Sequence, residues 1–309
     1  MTTTESAPLS APEEGRAAGM ALMLGSALAN QAGAATGALA FPVVGPAGVV
    51  AVRQWVAGAL LLAVGRPRPR SFSARQWRPV LALAVVSGTM NLALYTAIGR
   101  IGLGLAVTLE FLGPLAVALA GSRRRPDLVC ALAAAGAVAV LARPRPTTDY
   151  RGIGLALLAA ACWAGYIRLN RTVGRRLPGV QGSATAACAS ALAYVPIGAI
   201  AFAHHPPTAA ALGQALAAGV LSSALPMLAD LLALRRVPAA LFGVFMSVNP
   251  VLAALAGLAG LHQHLDPAAW PAIAVIVAAN AVVAGRRRVR PRHNRQSVDL
   301  TRRDVESMP

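Results

Sequence analysis

The sequence predicts an all-α integral membrane protein: ten transmembrane helices in two five-helix halves that enter the bilayer in opposite directions. Three observations carry this. Hydrophobic residues make up 56% of the 309 and charged residues only 13%, about half the roughly 25% of an average soluble domain, so the chain cannot cover a soluble surface. The apolar residues fall into ten runs long enough to cross a hydrocarbon core of about 30 Å, which takes about 20 residues of helix. A shift of 136 positions lays residues 85–121 over 221–257 without a gap.

Taken in order, the spans are bounded by arginine clusters, prolines and polar breaks. The first, 19–41, follows a segment holding Glu5, Glu13 and Glu14 against Arg16, the wrong charge for a cleaved signal. It carries Asn30, Gln31 and the Gly33-xxx-Gly37 packing pair. The second, 46–64, contains Arg53; the third, 79–99, contains Asn91 and Tyr95, four apart and therefore on one helix face. The fourth, 101–121, holds Glu110 and Pro114, and the fifth is 126–142. The sixth and seventh are 152–170, with Tyr166, and 182–203. The eighth, 211–234, holds Asp230; the ninth, 238–261, holds Asn249 and Pro250; the tenth, 267–284, holds Asn280. The expected organisation is a tail (1–18), a first repeat (19–143), a second, inverted repeat (151–285) and an arginine-rich tail (286–309). Connections this short leave no room for a soluble catalytic domain.

The arginines orient the chain, because positive charge collects in cytoplasmic loops. All 28 basic residues are arginine. With the N-terminus inside, only Arg100, Arg143, Arg145 and Arg151 fall in outer loops and Arg53 within a span; the rest lie on the cytoplasmic side. Both termini are expected in the cytoplasm, the protein in the cell membrane, and the arginine-rich loops against anionic lipid. The +17 net charge does not point to nucleic acid, since the arginines do not interleave with aromatics, which are 5% of the chain.

The 136-residue shift pairs Ser87 with Ser223, Arg100 with Arg236, Pro114 with Pro250 and Gly121 with Gly257. It is the spacing expected of two five-span halves, and an odd number of spans inverts the second. The loops agree: Gly121 precedes Arg123, Arg124 and Arg125, whereas Gly257 precedes His262-Gln263-His264 with no arginine until Arg286. Inverted repeats are a common build of secondary transporters, with the substrate site near the midplane between the halves.

Ionisable groups at membrane depth cost about 2.5–3.5 kcal/mol on insertion scales unless paired, protonated or facing water. Glu110 either forms an ion pair with Arg53 or faces a cavity and binds a proton or a cationic group. Asp230 either pairs with Arg235 or Arg236 or does the same. Arg53 otherwise offers its fork to a substrate carboxylate. Gln31, Asn91, Tyr95 and Asn249 supply hydrogen bonds, between helices or to a substrate. Pro114 and Pro250 break equivalent spans, each freeing a carbonyl one turn earlier.

Cys130, Cys162 and Cys188 lie singly in apolar runs, against a disulfide framework. His262 and His264 lack further ligands for a metal site. No metalloprotease, nucleophile-elbow or phosphate-loop pattern occurs, so neither enzyme activity nor a cofactor is expected.

The run Gly102-Leu-Gly-Leu-Ala-Val-Thr-Leu-Glu110-Phe-Leu-Gly-Pro114-Leu-Ala-Val-Ala-Leu resembles the EamA-type drug/metabolite transporters, and within them the RhtA-type threonine and homoserine exporters. So do Phe41-Pro42 with Arg53, Met90-Asn91-x-x-x-Tyr95, Ala160-Ala-Cys162-Trp163-Ala164-x-Tyr166-Ile167, Ala224-Leu-Pro226, Leu234-x-Arg236-x-Pro238 and Phe242-Gly243-x-x-Met246-Ser247. Matches run from about residue 20 to 260. The resemblance implies two five-helix EamA repeats and efflux of amino acids or related metabolites by proton exchange. It maps the family acid onto Glu110 and matches Gln31, Arg53, Asn91 and Tyr95. Asp230 stands where the family usually has Glu. Asn249 departs from the usual Glu before the proline, and His262-Gln263 from a common Gly-Glu pair. In this reading Glu110 takes a proton or a substrate ammonium, while Arg53 holds the opposite charge. Rival readings are drug or other-metabolite efflux on the same fold and, more distantly, a membrane-embedded enzyme or signalling protein.

Overall fold

The structure, a computed structural model, describes residues 11–120, 125–141, 149–234, 236–237, 245–267 and 269–286. Arg123, Arg124, Arg143, Arg145, Arg235 and the tail segments 1–10 and 287–309 lie outside the described residues, as do residues 238–244 of the ninth span. The described residues are helical through all ten expected spans: α1 (Ala11–Leu39), α2 (Phe41–Gly65), α3 (Ala74–Ile101), α4 (Leu103–Glu110), α5 (Leu112–Leu119), α6 (Arg125–Leu141), α7 (Tyr150–Arg176), α8 (Gln181–His204), α9 (Ala209–Gly219), α10 (Leu225–Leu234), α11 (Asn249–Leu261) and α12 (Ala269–Arg286). α4 and α5 share the fourth span. α9 and α10 share the eighth, joined by a π-helical turn at Val220–Ala224. α2, α3, α7 and α8 are each long and apolar enough to cross a membrane.

Several helices outrun the apolar stretch that announced them. α1 starts at Ala11, α3 at Ala74 and α7 ends at Arg176. Hydropathy marks the depth of the bilayer, whereas a helix ends where its hydrogen bonding ends. α3 starts where the Gln76 side chain turns back to accept the Ser73 backbone amide at 2.9 Å, satisfying one of the open donors of a helix N-terminus. Bulky apolar side chains remain exposed around the bundle, among them Val85, Leu132, Leu192 and Ile200, as a lipid-facing surface requires.

The pairing of helices follows the 136-residue repeat. α2 packs on α8, α4 on α11, and α6 on α12, each being the counterpart of its partner five spans away. α3 packs on α7, and the image of that pair, the eighth span on α1, is also formed. The counterparts run antiparallel. Gly48 lies against Phe202, Gly58 against Ala191 and Gly65 against Ala184, so numbers rise in α2 as they fall in α8. Likewise Gly104 meets Ala254, and Gly102 meets Gln263. Near the crossing of α2 and α8, Gln54 Nε2 donates to Ser190 Oγ at 2.7 Å across a separation of 136 residues. A residue there meets its own repeat counterpart, and this is an inverted repeat.

The core along this seam is built of small side chains and valine: Val44, Val49, Val50, Ala51, Val52, Ala97, Ala106, Ala156 and Ala253 are all buried. Small residues let helix backbones approach closely in a membrane, where packing and not hydrophobic exclusion drives association. α2 is kinked at Gly45, whose φ of +67° and ψ of 168° belong to a region that only glycine enters cheaply.

Candidate functional site

Arg53 emerges from the buried run Val49–Val52 and is itself only 8% exposed. Its guanidinium is clamped on two edges. Nε donates to Ser222 Oγ at 2.9 Å, and Nη1 donates to Asn91 Oδ1 at 3.0 Å. Both acceptors are themselves oriented. Asn91 Nδ2 donates to the Ser87 carbonyl one turn back at 2.9 Å, and the Ser222 hydroxyl donates to the Ala218 carbonyl. Below the guanidinium lies the Tyr95 ring, 4.4 Å from Arg53 Cζ to its centroid, within cation–π range. That ring is in turn fixed by Phe41, edge-on at 5.9 Å. Asn91 and Tyr95 therefore serve one side chain, as their spacing of four suggests.

Ser222 was not among the residues that the sequence singled out. It sits in the π turn, where the Leu225 amide reaches back to Val220 O. Four residues later comes Pro226, which has no amide to offer the Ser222 carbonyl and whose ring would crowd it in a regular helix; widening the turn relieves that conflict. The signal was present: a serine four residues before an intramembrane proline. α1 comes close enough to seal this turn because residue 33 is glycine. A Cβ there would lie 2.8 Å from the Ser222 amide nitrogen.

Glu110 is the last residue of α4, and Phe111 forms the turn into α5. Pro114 stands four positions on, so the Glu110 carbonyl loses its helical donor, and the fourth span is broken at that point. The Phe111 ring anchors the break edge-on against Trp163, centroids 4.9 Å apart. The Glu110 side chain is 6% exposed. Of the two roles open to it, the ion pair with Arg53 is not formed: Arg53 spends its contacts on Ser222, Asn91 and Tyr95. Among the described residues the Glu110 carboxylate has no hydrogen-bond or ion-pair partner.

Gln31 and Asn249 form a separate buried pair, Gln31 Nε2 donating to Asn249 Oδ1 at 2.9 Å. Asn249 begins α11, with Pro250 in the first turn, where its missing amide costs nothing. Asp230 lies in α10, but its side chain is outside the described residues. Gln263, noted in the sequence only as a departure, accepts the Leu103 amide at 2.9 Å and so caps α4 from the loop after α11.

Chemically, the site offers a fixed guanidinium whose Nη2 has no partner among the described residues, and a buried carboxylate that is not ion-paired with it. It has no cluster of His, Cys, Asp and Glu suited to a metal ion among the described residues.

Residues 150–285 match the EamA-like transporter family. The threonine/homoserine exporter RhtA of Escherichia coli (strain K12) is 39% identical over 256 residues, which is 81% of this chain and 85% of the exporter. The threonine/homoserine exporter RhtA of Salmonella typhimurium (strain LT2) is 38% identical over the same shares. A crystal structure of a further protein aligns with 89% of this chain and 100% of its own at a TM-score of 0.56 and 19% identity, a likeness of fold alone.

Proposed function

The chain belongs to the EamA-like transporter family, and from that premise we propose that it exports small amino acids of the threonine and homoserine kind in exchange for protons. The observation that carries this reading is the pair Arg53 and Glu110: opposite charges, both buried and not paired with each other. Their charges are complementary to the two ends of a zwitterion. Its α-carboxylate is held by the free edge of the Arg53 fork, and its α-ammonium by Glu110. Once the substrate leaves, Glu110 takes a proton in its place, since a bare carboxylate in that setting is costly. The two halves, 19–143 and 151–285, rock about the site to expose it to either side in turn. The termini and the arginine-rich loops face the cytoplasm and anionic lipid of the cell membrane.

Flux of labelled threonine and homoserine in proteoliposomes tests this. A proton gradient should drive uptake or efflux of the substrate against its own gradient. Glu110→Gln keeps the shape but cannot release a proton; it should abolish gradient-driven transport in protein shown to be folded. Normal gradient-driven transport by that variant removes Glu110 from the mechanism. Movement of drugs or other metabolites, with no amino acid moved, favours the rival substrate class on the same fold.

A further inference from the structure

Ser222 touches nothing that the reading above requires except Arg53, and its geometry is unusually determined. Its one proton goes to the Ala218 carbonyl, so only a lone pair is left for Arg53 Nε, 2.9 Å away. Asn91 is locked in the same way by the Ser87 carbonyl and takes Nη1. The guanidinium plane is thus set from two helices, while Tyr95 fixes its face. Five N–H groups in a rigid fork, less the two spent here, leave three, two of them on Nη2. That nitrogen has no partner among the described residues, and it is not among the polar atoms sealed without one, which are Gln31 Oε1, Trp55 Nε1 and Tyr95 OH.

We propose that Ser222, carried on the π turn of the eighth span, is a positioning residue that aims the Nη2 edge of Arg53 at the carboxylate of the transported amino acid. The proposal rests on the export reading. Without the hydroxyl, Nε loses its acceptor and the guanidinium is free to pivot about Nη1–Asn91, so the edge meant for substrate turns toward the vacated oxygen position. π turns inside α-helices occur frequently at functional sites. Here the widened turn brings a hydroxyl onto the arginine and packs against Gly33 of α1. The effect of Ser222 should therefore be felt through one group of the substrate only, its carboxylate.

The test compares threonine with threoninamide, which keeps the ammonium and hydroxyl but has no carboxylate, in proteoliposomes of the full chain. Wild type should prefer threonine. Ser222→Ala should raise the KM for threonine about tenfold, the scale of one hydrogen bond to a charged group, with a far smaller change in kcat. The KM for threoninamide should stay where it was. Ser222→Thr, which restores a hydroxyl, should return the threonine KM toward wild type. If Ser222→Ala fails to accumulate, Ser222→Cys, similar in size but a weak acceptor, should give the same split. An unchanged threonine KM in folded Ser222→Ala or Ser222→Cys protein overturns the role of Ser222 and leaves export standing. So does an equal rise for threonine and threoninamide. Wild-type protein that moves no amino acid overturns both readings together.

Discussion

At residue 246 a backbone carbonyl settles the orientation of a buried polar pair. Asn249 Nδ2 donates to Met246 O at 2.9 Å, and a carbonyl can only accept. Asn249 must then present Oδ1 to Gln31, which answers with Nε2 and leaves Oε1 without a partner. Both side chains are less than a tenth exposed. Asn249→Ala should therefore cost more than one hydrogen bond, because it strands the whole Gln31 amide; about 1–3 kcal/mol is expected for an unsatisfied buried group. Thermal unfolding in detergent measures it. Gln31→Met combined with Asn249→Ala should lose less than the two single changes added, since the pair acts as a unit. The same residue bears on coupling. Asn249 cannot titrate where the resembling family usually carries Glu, and Asn249→Glu should alter the pH dependence of flux in protein that still folds.

At the scale of elements, glycines decide how closely the spans approach. In α1, Gly33 and Gly25 look alike in sequence but not in surroundings. A Cβ at Gly33 meets backbone at 2.8 Å, whereas at Gly25 it meets nothing within 4 Å. Gly33→Ala should destabilise by about 1–3 kcal/mol, as overpacking does, and should weaken threonine binding by pushing Ser222 off Arg53. Gly25→Ala should be neutral or stabilising by up to about 1 kcal/mol, the helix-propensity difference. The start of α7 supplies a pH-dependent element outside the membrane spans. Asp149 accepts the Gly152 amide at 2.9 Å and meets Arg100 Nε at 2.9 Å, linking α7 to the end of α3. The Gly152 amide foremost, with Arg100 beside it, holds the Asp149 carboxyl below the usual carboxylate range. A depressed value means that the contribution is present above the unfolded value of about 3.9 and is lost as pH falls through the folded one. Wild type should therefore be more stable than Asp149→Ala at neutral pH, and the difference should shrink on acidification through that range. A difference that persists undiminished in acid would mean that the charge of Asp149 contributes nothing.

For the whole molecule, the repeat makes a directional prediction. α2 and α8 run antiparallel, as do α4 and α11, so equivalent helices end on opposite sides of the membrane. Single cysteines at Arg125 and His262, which follow the fourth and ninth spans, should label with an impermeant reagent from opposite faces. Labelling from one face would contradict the inversion. The symmetry is incomplete where the chemistry lies: Glu110 corresponds to Met246 and Arg53 to Ala189 under the 136-residue shift. Among the described side chains, the two charged groups, Arg53 and Glu110, come from the first half, and the second half contributes Ser222. Rocking of one half against the other would thus carry Ser222 relative to the arginine it holds.

The ten spans, their approximate limits, the inverted halves and the membrane character were determined by the sequence itself. They rest on one-dimensional quantities: the length of apolar runs, the placement of arginine and a repeat at fixed shift. Arg53, Glu110, Asn91, Tyr95, Gln31 and Asn249 were legible for a related reason, because a polar group inside an apolar run has to be accounted for. Their partners were not. Arg53 meets Ser222 across 169 residues and Gln31 meets Asn249 across 218, and no periodicity links positions that far apart. Sequence left Arg53 with two credible partners of suitable charge or shape, Glu110 and a substrate. Only the tertiary structure decided that its acceptors are a serine and an asparagine, each aimed by a backbone carbonyl. Hydrogen bonds depend on direction within tenths of an ångström, and that direction is set by a proline-widened turn and a glycine on the facing helix, long after hydropathy has chosen the helices.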